Sequence, residues 1–214
     1  MPVTRASIVI GAAAMLALSS GCASFSNIGR ARTLDPGRVE IFAAPEAYAV
    51  MSEAGASVRP IAEAGVRVGA TREVELDARV STLGVSLGPR VQLHRSEDPG
   101  SGVDVAIAPS LSWTYVDKLG LDTALIVGVN LGEHQLVLSA RLAYQMRFGV
   151  GGQSAPLGFL YAGGSIGVAL RVDPHLFIMP ELAVLTQLSA EPGFSSNLER
   201  AVGAQASLAF LIDL

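Results

Sequence analysis

Four things are scarce in this chain of 214 residues. Cysteine occurs once, as Cys22, so no intramolecular disulfide can staple the fold. Lysine also occurs once, as Lys118, and the net charge is −4. With no basic patch and a pI near 5.4, nucleic-acid binding has no electrostatic basis. Charged residues make up only 16% of the chain, against about a quarter in an ordinary soluble domain. Long apolar runs are absent beyond the N-terminus, so no later segment reaches the roughly 18 residues that a membrane helix needs. Yet half the residues are hydrophobic and the mean hydropathy is +0.45. High hydropathy without a spanning helix points to the other structure that satisfies its backbone in lipid, a closed β-barrel. An unusually apolar soluble sandwich is the alternative.

What is present is alternation. From Arg38 onward the chain is a series of period-two segments broken by turn residues. Ten strands follow, at 38–49, 61–70, 73–82, 84–95, 103–115, 120–131, 135–148, 157–170, 175–188 and 200–213. Most run 10 to 14 residues, longer than the usual soluble strand and suited to a tilted membrane-spanning one. In "QLVLSARLAYQMRF", Leu136, Leu138, Leu142 and Tyr144 share one face, and Gln135, Arg141, Gln145 and Arg147 the other. The eighth strand is the poorest, because Gly163, Gly164 and Gly167 blur its phase and invite a bulge. Pro89 and Pro180 fall inside strands and weaken those ladders locally.

Three features favour lipid against the apolar face. The polar phase is rich in Ser, Gly, Ala and Gln, unlike the charged face of a sheet in water. Its charges nearly balance: Arg67, Arg79, Arg90, Arg141 and Arg147 against Glu63, Glu75, Asp77, Asp104, Asp122 and Glu181. These are expected to pair across a narrow lumen. Finally, with both chain ends in the periplasm, the turns "TRE", "GEH" and "VDPH" fall on the periplasmic side and are short. Trp113, Tyr115, Tyr144, Phe148, Phe159 and Tyr161 then fall towards the external ends, as an interfacial aromatic girdle would.

The N-terminus reads as an export signal. Arg5 precedes an apolar stretch of 13 residues, Ala6 to Leu18, and "LSSGC" follows. The segment "LALSSGCAS" resembles the lipobox of bacterial lipoproteins. That likeness implies acylation of Cys22 and removal of residues 1–21. Two acyl chains, at about 0.8 kcal/mol per buried CH₂, make a stable anchor. Ordinary cleavage nearby, with an incidental cysteine, is the alternative. Ala23 after the cysteine, by resemblance to enterobacterial sorting rules, favours the outer membrane. Residues 22–37 would then be a lipidated N-terminus and polar tether, closed by Pro36 and Gly37, leading to a barrel domain at 38–214.

The last strand, "AQASLAFLIDL", resembles the terminal strand by which outer-membrane barrels are recognised for assembly. More broadly, "LDPGRVEIF", "SLGPRVQLHR" and "HLFIMPELAVL" are similar to outer-membrane β-barrel domain proteins of Gram-negative bacteria. The likeness implies membrane lipid and, during biogenesis, the barrel-assembly machinery as partners. It implies no activity.

Catalytic chemistry has little to stand on. His94, His134 and His175 all fall at the periplasmic rim, which is where exposed turn histidines belong. No Ser-His-Asp set or His/Cys cluster can be argued from spacing, so no enzyme activity, metal, cofactor or small-molecule substrate is expected. "GVGGQSAP" is glycine-rich, but no helix follows to cradle a phosphate. Ten strands enclose little more than eight, whose lumen side chains fill, so a plugged lumen is expected rather than a pore. The expectation is therefore an all-β, antiparallel up-and-down transmembrane β-barrel of about ten strands, with eight to twelve possible. It would be an outer-membrane lipoprotein with a structural or interaction role, anchored on the periplasmic side, its lumen plugged by paired charges. A soluble periplasmic β-sandwich or β-barrel lipoprotein that binds an apolar ligand or protein partner is the alternative.

Overall fold

The computed structural model describes residues 24, 26–52, 55–114, 118–148, 157–190 and 202–214. Alternating side chains drive nearly everything after Gly37 into strands: β1 (Val39–Ser52), β2 (Gly55–Gly69), β3 (Val74–Ser81), β4 (Gly84–His94), β5 (Ser101–Thr114), β6 (Lys118–Leu131), β7 (His134–Arg147), β8 (Leu157–Asp173), β9 (Leu176–Ala190) and β10 (Val202–Asp213). Each is antiparallel to its sequence neighbour. Pairing of β1 with β10, from Glu40 opposite Asp213 to Met51 opposite Val202, closes the barrel and leaves no sheet edge. The all-β, ten-strand barrel expected from the sequence is the fold, in place of a sandwich of two sheets.

The wall sorts its two phases as the alternation demands. On the outside, Leu87, Leu121 and Leu182 are each about 60% exposed, and Leu76, Leu111, Leu125, Leu138, Val184 and Leu208 continue the band around the barrel. So large a continuous apolar surface is foreign to a soluble monomer. On the inside, Arg67 and Glu75 are fully buried and Arg90 nearly so.

The turns after β2, β4, β6 and β8 lie at one end, together with the start of β1 and Leu214; this is the terminal end. The ends of β1, β3, β5, β7 and β9, and the starts of β2, β4, β6, β8 and β10, lie at the far end. The β4–β5 ladder shifts register between Gln92 and His94, and β8–β9 shifts between Leu160 and Tyr161.

Two expectations are corrected. Phe159 and Tyr161 are not on the outer girdle. They register opposite Gln145 and Ala143, both buried on the inner face. Glycines on both phases of β8 hid its facing. Trp113, Tyr144 and Phe148 are exposed on the outside towards the far end, whereas Tyr115 lies outside the described residues. The second correction concerns the segment read as a tether. Its described part does not run clear of the barrel: Ser26, Asn27, Ile28, Ala31, Thr33 and Leu34 are buried inside the lumen.

Candidate functional site: the occupied lumen

The chain enters the lumen through a turn at the terminal end. Arg38 N–H donates to Asp35 C=O (3.0 Å), and Gly37 N–H donates to Gly69 C=O (2.8 Å). From Leu34 back to Ser24 the segment then climbs the interior. A buried backbone must have its polar groups met. Here side chains of the wall meet them. Leu34 N–H donates to Glu75 (2.9 Å), Thr33 N–H to the Gln92 amide oxygen (2.7 Å) and Ala31 N–H to the Gln135 amide oxygen (2.8 Å). Gly29 N–H donates to Met179 Sδ (3.2 Å) and Asn27 N–H to Glu181 (2.9 Å). In return, Arg90 donates to Arg30 C=O (2.5 Å), Arg79 to Ser26 C=O (3.1 Å) and Arg141 to Ser24 C=O (3.3 Å).

The wall around this segment has two characters. On one side stand the charges of β1 to β5. Arg67 pairs with Glu40 and with Glu75 (3.4 Å), and Arg90 Nε also reaches Glu75 (3.4 Å). Arg79 bridges Asp77 (2.6 Å) and Glu63 (3.3 Å), and Asp104 is fully buried. The other side is mainly apolar: Ile126, Val137, Ala169, Phe177, Met179, Ala209 and Leu211 cluster with Phe42 and Ala44, and with Ile28 and Ala31 of the segment itself. The segment's arginines turn to charge. Arg30 pairs with Glu40 and Asp213, both at 3.0 Å, and lies 4.2 Å from the Phe177 ring centre. Arg32 reaches Asp104 (3.2 Å) and Ser96 C=O (2.6 Å).

Two glycines make the fit possible. Gly29 has φ 128°, and a Cβ there would collide with the Arg67 guanidinium. On the wall, a Cβ at Gly128 would come within 2.7 Å of the Ala31 methyl.

The remaining charged residues singled out in the sequence lie higher. Arg141 pairs with Asp122 (3.0 Å), and Glu181 is buried beside Asn27. Arg147 registers opposite buried Lys118 near the far end. Between these levels is a polar cavity of about 40 Å³, lined in part by Asp77, Arg79, Ser86, Ser110, Asp122 and Arg141. It has room for about three waters. Further towards the far end, Tyr48, Ile61, Ala183 and Leu185 form a second apolar cluster, with Leu83 and Tyr161 against it.

Sequence reasoning placed charges inside and missed the occupant. It also missed the apolar half of the lumen, although "LFIM" at 176–179 and "FLI" at 210–212 are apolar on both phases. A strand that is apolar on both faces is covered on both. Among the described residues, no group of three or more His, Cys, Asp or Glu is arranged to hold a metal ion. The three histidines are exposed at the terminal end, where His134 Nδ1 accepts a hydrogen bond from Arg171 N–H (3.2 Å). Cys22 lies outside the described residues.

No protein-family model matches the chain, and no curated protein matches it. Solved structures do. An outer membrane channel from Pseudomonas putida F1 superposes with a TM-score of 0.59 at 12% identity, over 88% of this chain and 100% of that one. Neisserial surface protein A superposes with a TM-score of 0.41 at 12% identity, over 82% of this chain and 98% of that one. The chain thus has the closed antiparallel fold of bacterial outer-membrane β-barrels.

Proposed function

We propose that the chain is an outer-membrane β-barrel of a Gram-negative bacterium whose lumen is closed, and that its role is structural or interactive rather than catalytic. The observation that carries this reading is the inversion of the wall. Leucines face out around the circumference, and the guanidinium and carboxylate groups face in. In this placement the terminal end is periplasmic and the far end external, with Trp113, Tyr144 and Phe148 at the external interface. The channel character of the Pseudomonas protein does not carry over, because here a chain segment and paired charges fill the lumen.

Acylation of Cys22 is part of the same reading, with one condition. Ser24 O–γ donates to Glu46 (3.2 Å), midway along β1. Two residues span at most about 7 Å. A lipid on Cys22 therefore reaches the periplasmic leaflet only when the segment has left the lumen. Anchoring and seating are alternative states.

Heat-modifiable migration on a detergent gel, together with retention in the outer membrane after a carbonate wash, is the expected behaviour. A chain that becomes soluble on Cys22→Ser would defeat the membrane placement. Leu138→Arg puts a charge on the outer face of β7 and is expected to cost about 2–4 kcal/mol in folding titrations into vesicles.

A further inference from the structure

We propose that the lumen is a binding site for an extended, arginine-bearing peptide segment, and that residues 26–34 are its ligand held in cis and able to exchange. This deepens the plugged-barrel reading, but the site itself depends only on the interior of the barrel.

The contacts have the form of peptide recognition. The wall reads the backbone of the segment at alternate residues: the N–H groups of Asn27 and Gly29 meet β9, that of Ala31 meets β7 and that of Thr33 meets β4. Such contacts hold any extended chain. Selection comes from side chains. At the terminal end the wall carries the carboxylates of Glu40, Glu75, Asp104 and Asp213 against the guanidiniums of Arg67 and Arg90. Arg30 and Arg32 supply the two missing positive charges, two residues apart, one to Glu40 and Asp213 and the other to Asp104. Apolar Ile28 and Ala31 fill the other side. A ligand therefore needs arginines at alternate positions, a small apolar residue between them, an apolar residue before the first and glycine next to that arginine.

The occupant can leave without dismantling its host. A wall strand cannot, because its neighbours hold it by a backbone ladder. The barrel closes through β1 and β10 without the segment, whose backbone is met by side chains. The connection to β1 is the exposed turn Asp35, Pro36, Gly37 and Arg38. Withdrawal leaves buried carboxylates in excess, so the vacated lumen selects a cationic chain over a neutral or acidic one.

The test uses the full chain with a protease site substituted into residues 35–38, folded with the segment in place and cut afterwards. The probe is a fluorescently labelled synthetic peptide of residues 24–37. After cleavage it is expected to exchange into the barrel and to be displaced by unlabelled peptide, while a peptide carrying Arg30→Glu and Arg32→Glu binds at least about 100-fold more weakly, the equivalent of about 2.7 kcal/mol. Retention of the cut segment against excess peptide, in a barrel that stays folded, would overturn exchange. Equal binding of the two peptides would overturn arginine selection. A chain lacking 24–34 gives a second route: if it folds and then fails to bind the peptide, the proposal is wrong. Gel migration and vesicle insertion of the same cut sample judge the membrane reading separately, since peptide binding in detergent does not require it.

Discussion

The two sides of the lumen hold the same segment by different physics. The β1–β5 side holds it with ions that are themselves buried, Arg67, Arg90, Glu75 and Asp104 among them. The β6–β10 side holds it largely with methyl groups, rings and a thioether, among which Gln135, Arg141, Glu181 and Asp213 are the polar contacts. Charges taken out of water gain little net stability from pairing, yet losing one partner strands the other at high cost. Apolar contacts are lost in proportion to the volume removed. The charged side should therefore fail abruptly on single substitutions and the apolar side gradually.

The largest expected effect follows directly. Arg67→Met leaves Glu40 and Glu75, both fully buried, short of their shared cation. A loss of about 3–5 kcal/mol is expected in urea unfolding of the barrel refolded into vesicles. On the apolar side, Ile28→Ala should cost about 3 kcal/mol in the same measurement, as a buried isoleucine cut to a methyl group leaves a cavity. If the two costs were equal in the intact chain and both persisted after the segment was cut away, the distinction between the sides would fail. Ile28 belongs to the segment, so its effect must vanish with it. Arg67 belongs to the wall, so its effect must remain.

Gln135 sits where the two sides meet. Its amide oxygen accepts from Ala31 N–H, and its amide nitrogen donates to Asp104 (3.2 Å) and Asn130 (2.7 Å). Gln135→Leu keeps the volume and removes all three bonds. About 2 kcal/mol is expected, with faster amide exchange at Ala31 as the local signature. Unchanged exchange there would mean that the segment does not depend on the wall for its backbone.

Much of this barrel could be read from alternation alone, because a wall between lipid and lumen imposes period two on every strand. β6 and β7 end within about two residues of where the pattern places them. β2 begins at Gly55, six residues before the alternation at 61, because the run Gly55–Pro60, exposed except for half-buried Ser57 and Arg59, pairs with β1 without a buried apolar face. Phe159 and Tyr161 were misread because Gly163, Gly164 and Gly167 take no side and give β8 no phase. The lumen charges could be read from their phase, but not the segment among them. Ser26–Leu34 has neither a period of two in hydropathy nor a partner strand, since its environment is apolar on one side and ionic on the other. Its one legible trace lay elsewhere, in apolar residues on the inner phase of β9 and β10 such as Met179 and Leu211, which need a cover.

Met179 gives the smallest effect and the finest discrimination. It is fully buried, and its sulfur is the acceptor for Gly29 N–H, the one backbone donor of the segment described above that turns to an apolar residue. Met179→Leu nearly conserves volume, and such exchanges usually cost under about 1.5 kcal/mol. A thioether is a weak acceptor. About 1 kcal/mol is therefore expected, divided between imperfect packing and an unmet N–H. Met179→Gln separates the two, since it offers Gly29 a strong amide acceptor at similar length but buries a polar group among Phe177, Ala209 and Leu211. If packing governs this side, Met179→Gln is the worse of the pair in urea unfolding. Were Met179→Gln instead to stabilise the seated segment, the apolar cluster itself would be reading backbone as the polar groups around it do, and the contrast between the two sides would reduce to one of ionic charge.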